Sequence, residues 1–139
     1  MSLFTVMNIA GSALAANTVR MNITASNMAN ADSAASSVGG TYRARQPVFV
    51  PQTLDADNFD DEPAVGVQVA GVVESKAPLR REYQPGNPLA DGDGYVFMPN
   101  VNTVEEMANM IAASRSYQTN IEIMEASKQM LARTLALGQ

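Results

Sequence analysis

The chain has 139 residues, enough for one compact domain or a small domain with helical arms, and a net charge of -5 with nine basic residues scattered along it. Nucleic acid calls for a clustered basic face and a membrane surface for a basic amphipathic helix, and neither pattern occurs. Absence of cysteine and histidine removes disulfides, thiolate nucleophiles, zinc–cysteine sites and the usual neutral-pH base, which excludes hydrolytic triads and zinc hydrolases.

From Leu3 to Ala31 the one charge is Arg20, and Met7, Leu14, Met21 and Met28 recur at heptad spacing. The pattern predicts a helix from near Ser2 to about Asn30, ended by Asn30-Ala31-Asp32-Ser33 and the linker Ser36-Ser37-Val38-Gly39-Gly40. Its other positions hold Ala, Ser, Thr and Asn, small groups that allow close helix approach but give little solubility. Leu3 to Ala16 imitates the apolar core of a secretion signal. No Lys or Arg precedes it, however, and the heptad register runs through the supposed cut, so it is read as helix and not as a cleaved leader. No apolar run is long enough to span a bilayer.

From about Tyr42 to Met98 the sequence is strand-like. Val48-Phe49-Val50, bounded by Pro47 and Pro51, predicts one strand, and Val65 to Val73, alternating Val with small or polar residues, predicts a half-buried second. Short strands near Arg80 to Tyr83 and Tyr95 to Phe97 are expected to pair with the second. The intervening segment 55–64 is an acidic, breaker-rich loop. It fails as a calcium loop, with Phe59 at the fifth position, Asp60 at the sixth and Gly66 at the twelfth. Asp91-Gly92-Asp93-Gly94 reads as tight-turn chemistry. Nothing fixes two carboxylates in a common pocket, and no glycine-rich phosphate cradle is present, so no catalytic, cofactor-binding or metal residue is assigned.

A second helix is expected from Thr103, where Thr103-Val104-Glu105-Glu106 forms a capping box, to Gly138 as terminator. Its seam reads Met107, Met110, Ser114, Tyr117, Ile121, Met124, Lys128, Leu131, Leu135, in steps of three and four. Such a helix extends about 50 Å. The β-rich middle has too few large apolar residues to cover two helices of this kind, so part of their burial is expected between molecules. Ser114 and Lys128 weaken a simple two-stranded coiled coil but can fix register in a larger assembly.

Three stretches carry a resemblance. Ala25-Ser26-Asn27-Met28-Ala29-Asn30-Ala31-Asp32-Ser33 resembles the Asn-rich N-terminal signature of bacterial flagellar rod and hook proteins. Val104-Glu105-Glu106-Met107 onward, with Ala113-Ser114-Arg115-Ser116-Tyr117-Gln118-Thr119-Asn120, looks like their shared C-terminal segment. Tyr83-Gln84-Pro85-Gly86-Asn87-Pro88-Leu89-Ala90-Asp91-Gly92-Asp93-Gly94-Tyr95-Val96, followed by Met98-Pro99-Asn100-Val101, is similar to the proximal rod members of that family. The resemblance implies a non-enzymatic subunit of the flagellar basal body. Such a subunit is exported without a cleaved signal by the flagellar type III apparatus and assembled in the periplasm into the rod that transmits motor torque.

The expectation is therefore an α+β axial protein that polymerises. Residues 1–33 and 102–139 form long helices packed as a coiled-coil core, and residues 34–101 form a small β-rich outer domain. The candidate assembly interface comprises Met7, Leu14, Met21, Asn27, Met28 and Asn30 of the first helix. On the second it comprises Met107, Met110, Ser114, Tyr117, Ile121, Met124, Leu131 and Leu135. Expected partners are further copies, other rod proteins, the adjoining basal-body ring and the export apparatus, with no cofactor, nucleic acid, small-molecule substrate or membrane insertion. The alternative is a soluble coiled-coil adapter that does not polymerise.

Overall fold

A computed structural model describes residues 3–53 and 65–137 of the chain. The acidic segment 55–64 and the expected terminator Gly138 lie outside the described residues. The elements in chain order are α1 (Leu3–Ala29), β1 (Arg45–Thr53), β2 (Val65–Glu74), β3 (Arg80–Tyr83), β4 (Tyr95–Met98) and α2 (Thr103–Leu137). The architecture is α+β, with the two helices at opposite ends of the sequence packed side by side. They run antiparallel: Arg20 Nη2 donates to Asn109 Oδ1 at 3.2 Å, while near the other end a Cβ built on Gly11 would lie 3.8 Å from Met124 Cε.

Both helices start and stop for local reasons. α1 has no proline and is rich in alanine. Its last turn tightens as Asn30 N–H reaches the carbonyls of Ser26 and Asn27, with Asn30 Nδ2 on the Ser26 carbonyl at 2.8 Å. α2 is capped by Asn102, whose Oδ1 accepts from Val104 N–H at 3.1 Å and Glu105 N–H at 3.4 Å. The cap is thus one residue earlier than the expected Thr103, which is itself the first helical residue. An Asn amide competes for the first orphan donors as well as a hydroxyl does. Glu105 and Glu106 then sit in the first turn, where the helix dipole favours them.

The β residues form two separate antiparallel pairs, β1–β2 and β3–β4, not one sheet. β3 and β4 therefore pair with each other and not with β2. β4 gains a further neighbour where Ala35 and Phe97 exchange both backbone bonds, at 2.9 and 3.0 Å. β1 runs through Pro47 and Pro51 instead of being bounded by them. Its register is Arg45 with Glu74 through Val48 with Gly71, then Phe49 with Val69 through Thr53 with Val65. The skipped residue, Ala70, is a bulge on β2.

The β1–β2 ribbon lies along α1. Arg45 meets Asn27, and Val67, paired with Pro51, gives its N–H to Ser12 Oγ at 3.1 Å. Ser12 to Asn27 spans about 22 Å of helix, and Arg45 to Pro51 about 20 Å of strand. The two rises match, so β1 runs back along the helix. A small core closes the junction: Ala31, Ala44 and Val101 with Tyr42 against them, and Val96, Met98 and Pro99 beside it. Asn100 ties these parts together, accepting from Ala44 N–H at 2.8 Å and donating to the carbonyls of Ser75 and Ala77. The core holds small and medium side chains, while Phe49, Val72, Val73, Tyr83 and Ile111 lie on the surface.

Candidate assembly interface

The first helix spends its most buried positions on small and polar residues: Ala10, Ala16, Thr24 and Asn27. Met7, Leu14, Met21 and Met28 are half-buried beside them, as is Asn30. Asn27 is 1% exposed, and its amide is filled within the chain. Nδ2 donates to the Arg45 carbonyl at 2.8 Å, and Oδ1 accepts from Arg45 N–H and from Tyr42 Oη, both at 2.9 Å. The side chain thus pairs with β1 as a neighbouring strand residue would. Its hydrogen-bonding capacity is spent on holding α1 to the ribbon.

On α2 the half-buried and buried residues follow Glu106, Met110, Ala113, Tyr117, Asn120, Met124, Ser127 and Leu131, in steps of four and three. Met110, Tyr117, Met124 and Leu131 belong to the seam read from sequence. The companion positions fall one residue earlier than Met107, Ser114, Ile121 and Lys128, and hold small or polar groups. Ala113 is 0% exposed and Ser127 2%. Ser127 Oγ is satisfied on its own helix by the Ile123 carbonyl at 2.8 Å. Small residues allow helices to approach closely, and apolar periodicity passes over them. Ala113, Asn120 and Ser127, small or polar groups at a seven-residue spacing beside the Met/Tyr/Leu row, were the available signal.

Rotation of the seam by one residue leaves apolar groups outside. Ser114 and Ile121 are half-buried, whereas Met107 is 52% exposed and Leu135 68%, with Val104 at 76% and Ile111 beside Met107. Among the described helices and strands α2 packs on α1 alone, and none of these elements covers its remaining faces. The ribbon is similarly open: Val48, Phe49, Val50, Val65, Val72 and Val73 are exposed. A groove of about 450 Å³ runs between α1 and the ribbon, lined by Val19, Ile23 and Val72 and rimmed by Arg45 and Glu74, whose 3.4 Å ion pair is exposed and therefore weak.

The β3–β4 hairpin is built around Asp91. Its Oδ1 accepts from Tyr95 N–H at 2.8 Å and Asp93 N–H at 3.0 Å, and Oδ2 pairs with Arg81 at 3.2 Å. The Tyr95 backbone bond, with help from Asp93 and Arg81, holds the carboxyl below its usual value. Arg81 lies over the rings of Tyr95 and Phe97, with its guanidinium carbon 4.6 and 5.5 Å from the centroids. Gly94 closes the turn at φ +79°, where a Cβ would come within 2.9 Å of Tyr83 Cε2. The tight-turn reading of Asp91 to Gly94 is what the backbone does.

Among the described residues no group of three or more acidic side chains is placed to hold a metal, and no helix is long and apolar enough to cross a membrane. Among the described residues, a helix pair and two small ribbons with many exposed apolar groups suit a structural protein that assembles with others. The comparisons with known proteins sharpen that class to a flagellar one. Residues 93–137 match the family model described as flagellar basal body rod FlgEFG protein C-terminal. The whole chain is 52% identical to the whole of the flagellar basal-body rod protein FlgC of Salmonella typhimurium strain LT2 and 50% to that of Escherichia coli strain CFT073. It is 36% identical to that of Borreliella burgdorferi, covering 99% of the relative. The chain belongs to the FlgC family of flagellar basal-body rod proteins.

Proposed function

We propose that this chain polymerises, with other rod subunits, into the proximal part of the flagellar rod and there carries motor torque across the periplasm. As a FlgC family member it is a structural rod subunit of the basal body and not an enzyme. The observation that carries the finer reading is the row Val104, Met107, Ile111 on α2. A helix that satisfies its seam on α1 and still presents large apolar groups to water is completed by neighbours. In this reading Met107, Ile121 and Leu135 meet other subunits, while Met7, Leu14, Met21, Met28, Met110, Ser114, Tyr117, Met124 and Leu131 flank the contact between the two helices and extend it as a coiled coil. Asn27 and Asn30 shape the interface from within, through the ribbon clamp and the helix end. Contacts between unlike surfaces that do not close on themselves generate a tube.

Export through the flagellar type III apparatus without loss of a leader fits the same account, since the apolar stretch Leu3 to Ala16 is built into α1 and Ala16 is buried. In the same reading the chain's neighbours are other rod proteins and the adjoining ring. The test is Met107→Asp in cells that lack the native chain. Swimming should be lost and the subunit should be missing from purified basal bodies, although the purified variant melts like the parent. Swimming cells would refute the assignment.

A further inference from the structure

Two prolines inside one strand point to a role for the edge on which they sit. Backbone groups of a strand alternate between its two edges, and Arg45 sets the phase of β1: its N–H and C=O both face Asn27, away from β2. The register skip falls at Ala70 on β2, so the alternation along β1 is unbroken from Arg45 to Thr53. The positions whose backbone groups face outward are therefore Arg45, Pro47, Phe49, Pro51 and Thr53. Val67 checks this independently. It is the partner of Pro51, yet its N–H goes to Ser12, so the pair is a non-hydrogen-bonded one and the missing donor of Pro51 also faces outward.

Each edge of the ribbon touches α1 at one end, β1 at Arg45 through Asn27 and β2 at Val67 through Ser12. Among the described residues β1 is exposed from Val48 to Thr53 and carries the apolar run Val48-Phe49-Val50, with Pro47 half-buried where that stretch begins. An exposed apolar edge of this kind recruits strands from other chains. Here Arg45 is occupied by Asn27, and Pro47 and Pro51 have no N–H to give. The outward donors left, on Phe49 and Thr53, are about 13 Å apart, twice the repeat that a pairing strand needs.

We propose that Pro47 and Pro51 block the free edge of β1 against strand addition. Subunits then join through helices and side-chain surfaces, and the ribbon does not seed sheet growth between chains. This stands independently of the rod reading. The test is the full-length chain carrying Pro47→Thr and Pro51→Thr, which restores both donors with strand-compatible side chains. It is compared with the parent by sedimentation across a concentration series and by infrared spectroscopy. The variant should shift toward larger species as concentration rises and gain an intermolecular strand band, and each single substitution should give a smaller shift. Unchanged association, or larger species without that band, overturns the proposal. So does a double variant that no longer folds, because outward prolines carry no ladder bond. Gln52→Pro checks the phase: Gln52 faces β2, so this change should loosen the ribbon, seen as faster amide exchange along β2. A ribbon as protected as the parent's also overturns the assignment.

Discussion

Replacing Asn27 with alanine removes three hydrogen bonds at one stroke and isolates the contribution of the clamp between α1 and β1. The Arg45 N–H and C=O lose their partner, and Tyr42 Oη keeps only its 3.2 Å contact with Ser26 Oγ. A fully buried orphan costs about 1–3 kcal/mol, but Arg45 is an exposed residue and its backbone recovers some water. A total of about 2–3 kcal/mol follows, a large share of a typical domain's stability. For a chain of this size that is a fall in melting temperature of about 8–12 °C. Asn27→Asp keeps the acceptor for Arg45 N–H and Tyr42 but sets a carboxylate oxygen against the Arg45 carbonyl, so it should be no milder at neutral pH. Circular dichroism melts with amide exchange at Arg45 measure both effects. If Asn27→Ala melts within about 2 °C of the parent, the clamp does not hold the ribbon and the reading of Asn27 as an internal lock is wrong.

Other expectations are sharper in sign than in size. The carboxyl of Asp91 is depressed below its usual 3.8 in the folded chain, so its stabilisation is present above that pH and is lost as pH falls through the folded value. Protection of the Tyr95 amide, its exchange rate set against that of an unstructured chain at the same pH, should fall as the Asp91 carboxyl is protonated in the parent, and Asp91→Asn should flatten that response. Gly94→Ala forces a Cβ into the Tyr83 ring at positive φ and should lower stability by about 1 kcal/mol or more, read from denaturant melts. Ala113→Leu overfills the closest approach of the helices and should cost about 1–3 kcal/mol. Met107→Asp, on the open face, should change monomer stability by less than about 0.5 kcal/mol.

The helices were legible in the sequence because their signals are local. Heptad Met and Leu, absence of proline and a polar residue before the paired glutamates place α1 and α2 nearly to the residue. The cap moved by one position because Asn102 and Thr103 are both competent caps, and only geometry chooses between them. Strand positions were legible but pairing was not, since the match of β3 with β4 depends on the Asp91 turn and not on either strand's pattern. The prolines read as boundaries because sequence carries no strand phase; only the outward direction of their missing N–H lets β1 pass through them. On α2 the buried and half-buried face takes in Met110, Tyr117, Met124 and Leu131 together with Ala113 and Ser127, and apolar periodicity passes over the last two because it weights large side chains. Asn27 stood out by its motif, while its partners in Tyr42 and β1 are fixed by the fold.

The central claim is that the outer face of α2 is covered by other subunits in the assembled rod. The chain contains no cysteine, so a single Met107→Cys substitution gives one unambiguous cross-linking position. In purified basal bodies from swimming cells, a short thiol-reactive photo-cross-linker at that position should join the subunit to a neighbouring rod protein, while the same probe in the dilute purified chain yields only monomer. Basal bodies that contain the variant at normal levels yet give no intersubunit product from position 107 would contradict the account.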